Sequence, residues 1–172
     1  MSIYDVIHAK VEIRELFPVP SNLGFPKERE IVLVPEVNKF VFGLHTDSKV
    51  RTRRLKLEIE LSWFVEGGEV AVALPHDPYV DQPDAYLRLL HPWADEVWEI
   101  RSKMQPQIRV FGRFAGPNFF VALLWAYRND LGHPPWAQCG TCKLEWERMF
   151  PGCSPHTGRT VHDYITKNAI PL

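Results

Sequence analysis

Between residues 101 and 128 the chain carries Arg101, Lys103, Arg109, Arg113 and Arg128 with no acidic residue, interleaved with Phe111, Phe114, Phe119, Phe120, Trp125 and Tyr127. Cationic side chains neutralise phosphates, and aromatic faces and arginine planes stack on unpaired bases, so this mixture points to RNA. The whole-chain balance hides it: 20 basic against 21 acidic residues give a net charge of −1. Counted by segment, residues 49–56 hold Lys49, Arg51, Arg53, Arg54 and Lys56 without an anion, whereas 57–100 hold ten acidic residues and Arg88 alone. The competing reading is that Arg101, Arg109 and Arg113 pair across strands with acids such as Glu99, in which case the basic block is neutralised within the fold.

A second constellation lies further on. Cys139-Gly-Thr-Cys142 and Cys153-Ser-Pro-His156 are two ligand pairs ten residues apart, of the kinds that a tetrahedral zinc ion accepts, with His133 and His162 as spare candidates. The alternative is one amphipathic helix through this region, with Trp136, Cys139, Lys143, Trp146 and Phe150 near one stripe and the cysteines as small core residues. No serine nucleophile elbow, phosphate loop or dinucleotide fingerprint is present, and nothing in the sequence marks a partner that would hold a reactive thiolate.

The elements that must position the arginines are the clearest in the chain. Residues 97–101, 107–114 and 119–127 are three apolar runs separated by turn-forming residues, which predicts an antiparallel meander. Side chains alternate across a pleat, so Arg109, Phe111 and Arg113 share one face of the middle strand, and Glu99 and Arg101 share a face of the first. The third run is apolar on both faces and should lie inside the sheet. A helix is expected over 135–149, ended by Pro151-Gly152. Upstream, 6–14, 31–34 and 39–44 read as strands. Residues 55–63 alternate strictly and favour a strand returning through Gly67-Gly68 into 69–74, with a helix as the competitor because Val50, Leu57, Leu61 and Phe64 would share a helical face. The proline-rich stretch 75–96 reads as a loop around a short helix at 84–90.

The runs Trp98-Glu-Ile-Arg101, Gln107-Ile-Arg-Val-Phe111 and Phe119-Phe-Val-Ala-Leu-Leu-Trp-Ala-Tyr-Arg128 resemble the strand core of the RelE/HigB-like toxins of bacterial toxin–antitoxin pairs, over about residues 97–150. The resemblance implies an endoribonuclease that cuts mRNA, often on the ribosome, by metal-independent attack of a ribose 2′-OH on the adjacent phosphate. It further implies an antitoxin protein as partner and no cofactor. Carried over residue by residue, it assigns Arg101, Arg109, Arg113 and Arg128 to the phosphate and His162 or Tyr164 to proton transfer, with Lys103 and Phe111 as RNA contacts. Two departures stand out. The family's lysine pair after the third strand is replaced by Tyr127-Arg-Asn-Asp130, and the chain is nearly twice the usual toxin length. A binding protein on the same fold without catalysis, or a zinc-stapled interaction module, are the alternatives.

At 172 residues with 45% hydrophobic and 24% charged content the chain is expected to form one α+β domain around a central antiparallel sheet. Residues 1–48 read as a β-rich extension, 49–150 as the RelE-like core and 151–172 as a helical C-terminal tail packed on it. No apolar stretch is long enough for a membrane span, and the opening residues lack a signal-peptide layout, so a cytoplasmic location is expected.

Overall fold

The computed structural model describes residues 1–74, 82–103, 105, 107–132 and 135–172, with residue 136 described by its backbone alone. His133, one of the spare zinc candidates, Trp136 as a member of the expected stripe, and the prolines at 75 and 78 lie outside the described residues or side chains.

The expected meander forms. β5 (Trp98–Arg101), β6 (Ile108–Gly116) and β7 (Phe119–Tyr127) pair antiparallel, and β4 (Leu87–Leu89) adds antiparallel to β5. The β6–β7 connection is a tight turn at Pro117-Asn118. Asn118 takes φ of 61°, a conformation asparagine tolerates better than most residues. Mid-strand, the register slips between Phe111 and Gly112, where a Cβ at 112 would come within 2.0 Å of the Val121 carbonyl oxygen, so only glycine fits.

Around this centre the sheet becomes mixed. β2 (Glu30–Leu33) runs parallel to β7 and carries β1 (Phe17–Pro18) at its outer edge. β3 (Val70–Ala73) runs parallel to β4 on one side and to β8 (Ala169–Pro171) on the other. The eight strands lie in the order β1-β2-β7-β6-β5-β4-β3-β8. β7 thus sits inside the sheet between β2 and β6, as its apolar faces require. The α+β class is as expected, and the strictly antiparallel description applies to β4 through β7.

The upstream strand expectations are corrected in three places. Residues 6–14 belong to α1 (Ile3–Glu12), which opens with a capping box between Ser2 and Asp5. Residues 39–44 belong largely to α2 (Pro35–Phe42), with proline in its first turn. Residues 55–63 lie within α3 (Ser48–Val65), where the Asp47 carboxylate accepts from the Lys49 and Val50 amides at 2.7 and 3.3 Å. The alternation of 55–63 misleads because only half of it is core: Leu57, Leu61, Phe64 and Val65 are buried at helical spacing, whereas Leu55, Ile59 and Trp63 face solvent. The N-terminal region is therefore helical as much as β. The short helix expected at 84–90 is a correction too, since β4 runs through its second half. α4 (Trp136–Met149) forms where expected. The C-terminal tail contains one short helix, α5 (Val161–Tyr164), and the edge strand β8.

One core unites these elements. Trp98, Phe114 and Tyr164 meet at ring-centroid distances of 4.6 to 5.4 Å on one sheet face, and Trp146 of α4 is fully buried on the other. Phe40 of α2 stacks on Trp125 at 3.5 Å, which fixes α2 over the end of β7.

Candidate functional site: an arginine cleft on the meander

Alternation and register together build the cleft. Arg88 on β4 stands opposite Glu99 on β5, and Arg101 on β5 stands opposite Arg109 on β6. All four side chains project from one face of the sheet. Arg128, just past the end of β7, joins them, and Leu131, Gly132 and Pro135 form a rim, enclosing a narrow cleft with a volume of about 20 Å³, room for about one water molecule. Its lining among the described residues is four guanidinium groups and one carboxylate.

The groups are held from below. The Glu99 carboxylate lies 3.4 Å from Nε of Arg101 and 3.6 Å from Nε of Arg109. Arg109 also donates to the carbonyls of Ser102 and Ile108 and, at 2.9 Å, to the Gln107 side chain. Arg101 donates to the Gln82 carbonyl, and the Arg128 amide donates to the Gln107 carbonyl at 2.8 Å. Such anchoring removes rotamer freedom before any ligand arrives, which lowers the cost of binding. The Glu99–Arg109 contact matches the cross-strand ion-pair reading, whereas Glu99 and Arg101 pair along the single strand β5. Among the described acidic residues of 57–100, Glu99 alone lines it.

Arg113 has a different environment. Its Nη2 donates to the Asp95 carbonyl, its guanidinium lies 5.5 Å from the Trp146 ring centroid, and burial holds its pKa below the ordinary arginine value. It is sealed beneath α4 and does not line the cleft. Phe111, expected as an RNA contact, is fully buried in the core, so its ring offers no face to a base. Lys103 is exposed, its ammonium bonded to the Asp84 carbonyl at 3.0 Å. His162 is exposed, with Nδ1 3.4 Å from the Ile165 carbonyl oxygen. Tyr164 is buried in the aromatic core, where its hydroxyl donates to Glu96 at 2.7 Å. Burial, reinforced by that carboxylate, raises the Tyr164 pKa. Neither His162 nor Tyr164 lines the arginine cleft.

The zinc set is not assembled. Cys139 and Cys142 are buried on α4, where burial pushes the Cys139 thiol up to about 12 and raises Cys142 as well. His156 bonds the Asp163 carbonyl through Nε2. Among the described residues no group of three or more His, Cys, Asp or Glu side chains is placed to hold a metal ion. The tight knuckle needs a turn at 139–142, and the helix forbids it.

No protein-family model, curated protein or solved structure matches this chain.

Two cleft residues escape a motif reading. Arg88 is the lone cation of an acidic stretch, placed between Leu87 and Leu89. The leucine–arginine–leucine alternation marks a strand that projects the arginine to the opposite face. Glu99 shares the Arg101 parity. A further basic surface flanks the cleft: Lys49, Arg53 and Lys56 on α3 border a groove together with Gln105 of the β5–β6 turn, and Arg53 lies 5.8 Å from the ring of Tyr127, the residue before Arg128. No helix among the described residues is long and apolar enough to cross a membrane.

Proposed function

We propose that the chain binds single-stranded RNA by seating a backbone phosphate at the mouth of the cleft formed by Arg88, Arg101, Arg109 and Arg128, on a RelE-like core. The observation that carries this reading is the gathering of four arginines, two of them paired with Glu99, around one cleft. Guanidinium forks match phosphate oxygens in pairs, and the flanking cations of α3 extend the electrostatic track along a strand. The resemblance of 97–150 to the RelE/HigB-like toxins supports it, since β5, β6 and β7 form the meander that leads into α4. Binding of a labelled single-stranded RNA by the full chain tests it. Affinity should fall with salt with a log–log slope of about −2 to −3, the value for three to four neutralised phosphates on a single strand. Arg109→Gln should weaken binding by about tenfold or more. Binding that ignores both salt and Arg109 would refute it.

Cleavage of that RNA is the second reading, favoured by Glu99. On this reading Glu99, a carboxylate between two arginines, accepts the proton of a ribose 2′-OH as its oxygen bonds to phosphorus, the 5′-oxygen leaves with a proton from water, and the guanidiniums stabilise charge on the phosphate oxygens. Residues of the cleft, rather than His162 or Tyr164, then carry the chemistry. Glu99→Gln should lower the cleavage rate by about 10²- to 10⁴-fold while RNA binding persists.

A further inference from the structure

Beside the arginine cleft lies a second and larger one, of about 340 Å³, and Arg101 lines both. Its chemistry is different. Trp63 of α3 contributes an indole that rests against Gly68, meets Tyr86 edge-on at 6.0 Å, and remains 38% exposed. Glu60, Glu69 and Asp84 contribute three carboxylates. Glu60 hydrogen-bonds with the Ser102 side chain and the Lys103 amide, yet its Oε2 has no partner among the described residues.

The mixture discriminates among ligands. A free anion would face three carboxylates, and a free amine would face Arg101 and Lys103 at the rim. A molecule with an anionic end and a neutral, flat, donor-rich end satisfies both halves. A nucleotide has this form, with its phosphate at Arg101 and its base against Trp63. Carboxylates only accept hydrogen bonds when ionised, so they select a base edge rich in donors. Among the common bases guanine alone presents two adjacent donors, N1–H and the N2 amino group, to one carboxylate in a paired geometry.

We infer that this cleft is a guanine-binding subsite, in which the base lies against Trp63, its N1–H and N2 donors meet the carboxylates of Glu60, Glu69 or Asp84, and its phosphate is shared with the arginine cleft through Arg101. The inference rests on the phosphate reading above and narrows it to one base. The same chemistry could arrive as a free guanine nucleotide or within an RNA strand.

The test uses the full chain and short single-stranded RNAs that differ at one position, carrying guanine, inosine, adenine or no base, with guanosine monophosphate as a separate arm. Inosine retains N1–H and lacks the N2 amino group. The guanine RNA should bind at least about fivefold tighter than the inosine and adenine RNAs. Trp63→Ala should reduce affinity for the guanine RNA by about tenfold and leave the abasic RNA unaffected. Glu69→Gln and Asp84→Asn change exposed carboxylates, and one of them, or Glu60→Gln, should erase the guanine preference. Saturable binding of the monophosphate with the same base preference would assign the subsite to free nucleotides, and guanine preference confined to the RNAs would assign it to a strand. Equal affinity for all bases on the unaltered protein, with Arg109→Gln still weakening binding, would overturn the guanine subsite and leave the phosphate reading intact. Absence of any salt-dependent RNA or nucleotide binding would overturn both.

Discussion

Arg109 and Arg113 sit four residues apart on the same strand and the same face, and they end in opposite surroundings. At the Arg109 end the buried guanidinium pairs with Glu99 and, together with Arg88, Arg101 and Arg128, lines a narrow cleft bordered among the described residues by Leu131, Gly132 and Pro135. At the Arg113 end the next segment, α4, lies over the strand, and the guanidinium is sandwiched between Trp146 and the Asp95 carbonyl. Pleat parity is shared. Both guanidiniums are buried, so what differs is the partner: at one end a carboxylate shared with Arg101 beside a cleft, at the other a carbonyl and an indole beneath α4.

The comparison can be broken or sharpened by substitution. The largest effect is expected from Trp146→Ala, which removes the buried roof over Arg113. A loss of about 3–5 kcal/mol should appear in denaturant unfolding, and the surviving folded fraction should still bind RNA. Arg109→Met should cost both functions at its end. RNA affinity falls by about tenfold or more, and stability drops by up to about 3 kcal/mol, the low end for a broken buried pair because Arg101 still faces Glu99. The same change at the other end, Arg113→Met, should leave RNA affinity within about twofold. Its stability effect is about 1 kcal/mol, since one hydrogen bond to a carbonyl is lost while the stack on Trp146 is retained by the thioether. If Arg109→Met and Arg113→Met prove equivalent in RNA binding, the distinction between the two ends fails.

Smaller effects refine the covered end. Lys143 pairs with Asp95 at 2.7 Å with about half of its side chain in water, so Lys143→Ala should cost about 0.2–1 kcal/mol, and less in high salt. Glu96 is raised above its ordinary value of 4.5, chiefly by burial, with the Tyr164 hydrogen bond working the other way. The folded state therefore holds that proton more tightly than the unfolded state does. The contribution of Glu96 to stability is greatest below pH 4.5 and declines as pH rises through the interval between the ordinary and the raised value. Glu96→Gln should abolish that decline, so that the unfolding free energy of the variant relative to the parent rises as pH increases from 4.5 through the raised value and then levels off.

Much of the site-bearing sheet was legible in the sequence, because β5, β6 and β7 combine apolar runs with turn residues at both connections and a parity that holds from Trp98 to Arg101 and from Arg109 to Phe111. α4 was legible from its proline start and its Pro151-Gly152 stop. The N-terminal half was less so. Strict alternation at 55–63 imitates a strand, and the signal against it is a cap, Asp47 before Ser48, whose carboxylate satisfies two helix amides. The Ser2–Asp5 capping box is the equivalent signal for α1. Caps are single residues and are easily outvoted by a periodic run of nine. Arg88 was hidden for another reason: a strand of three residues is too short for periodicity to declare itself, and its role depends on pairing with β5.

The sequence by itself determined which side chains share a face, since alternation is a property of the backbone and needs no partner. It likewise determined that acids are absent from 101–128. Only the tertiary structure decided that β4 lays Arg88 opposite Glu99, that α4 closes over Arg113 while Arg109 lines a cleft with three other arginines, and that Tyr164 and His162 do not line that cleft. Those outcomes depend on contacts between residues far apart in the chain. Local pattern carries no record of such contacts, and burial of apolar surface selects them only when the whole chain has folded.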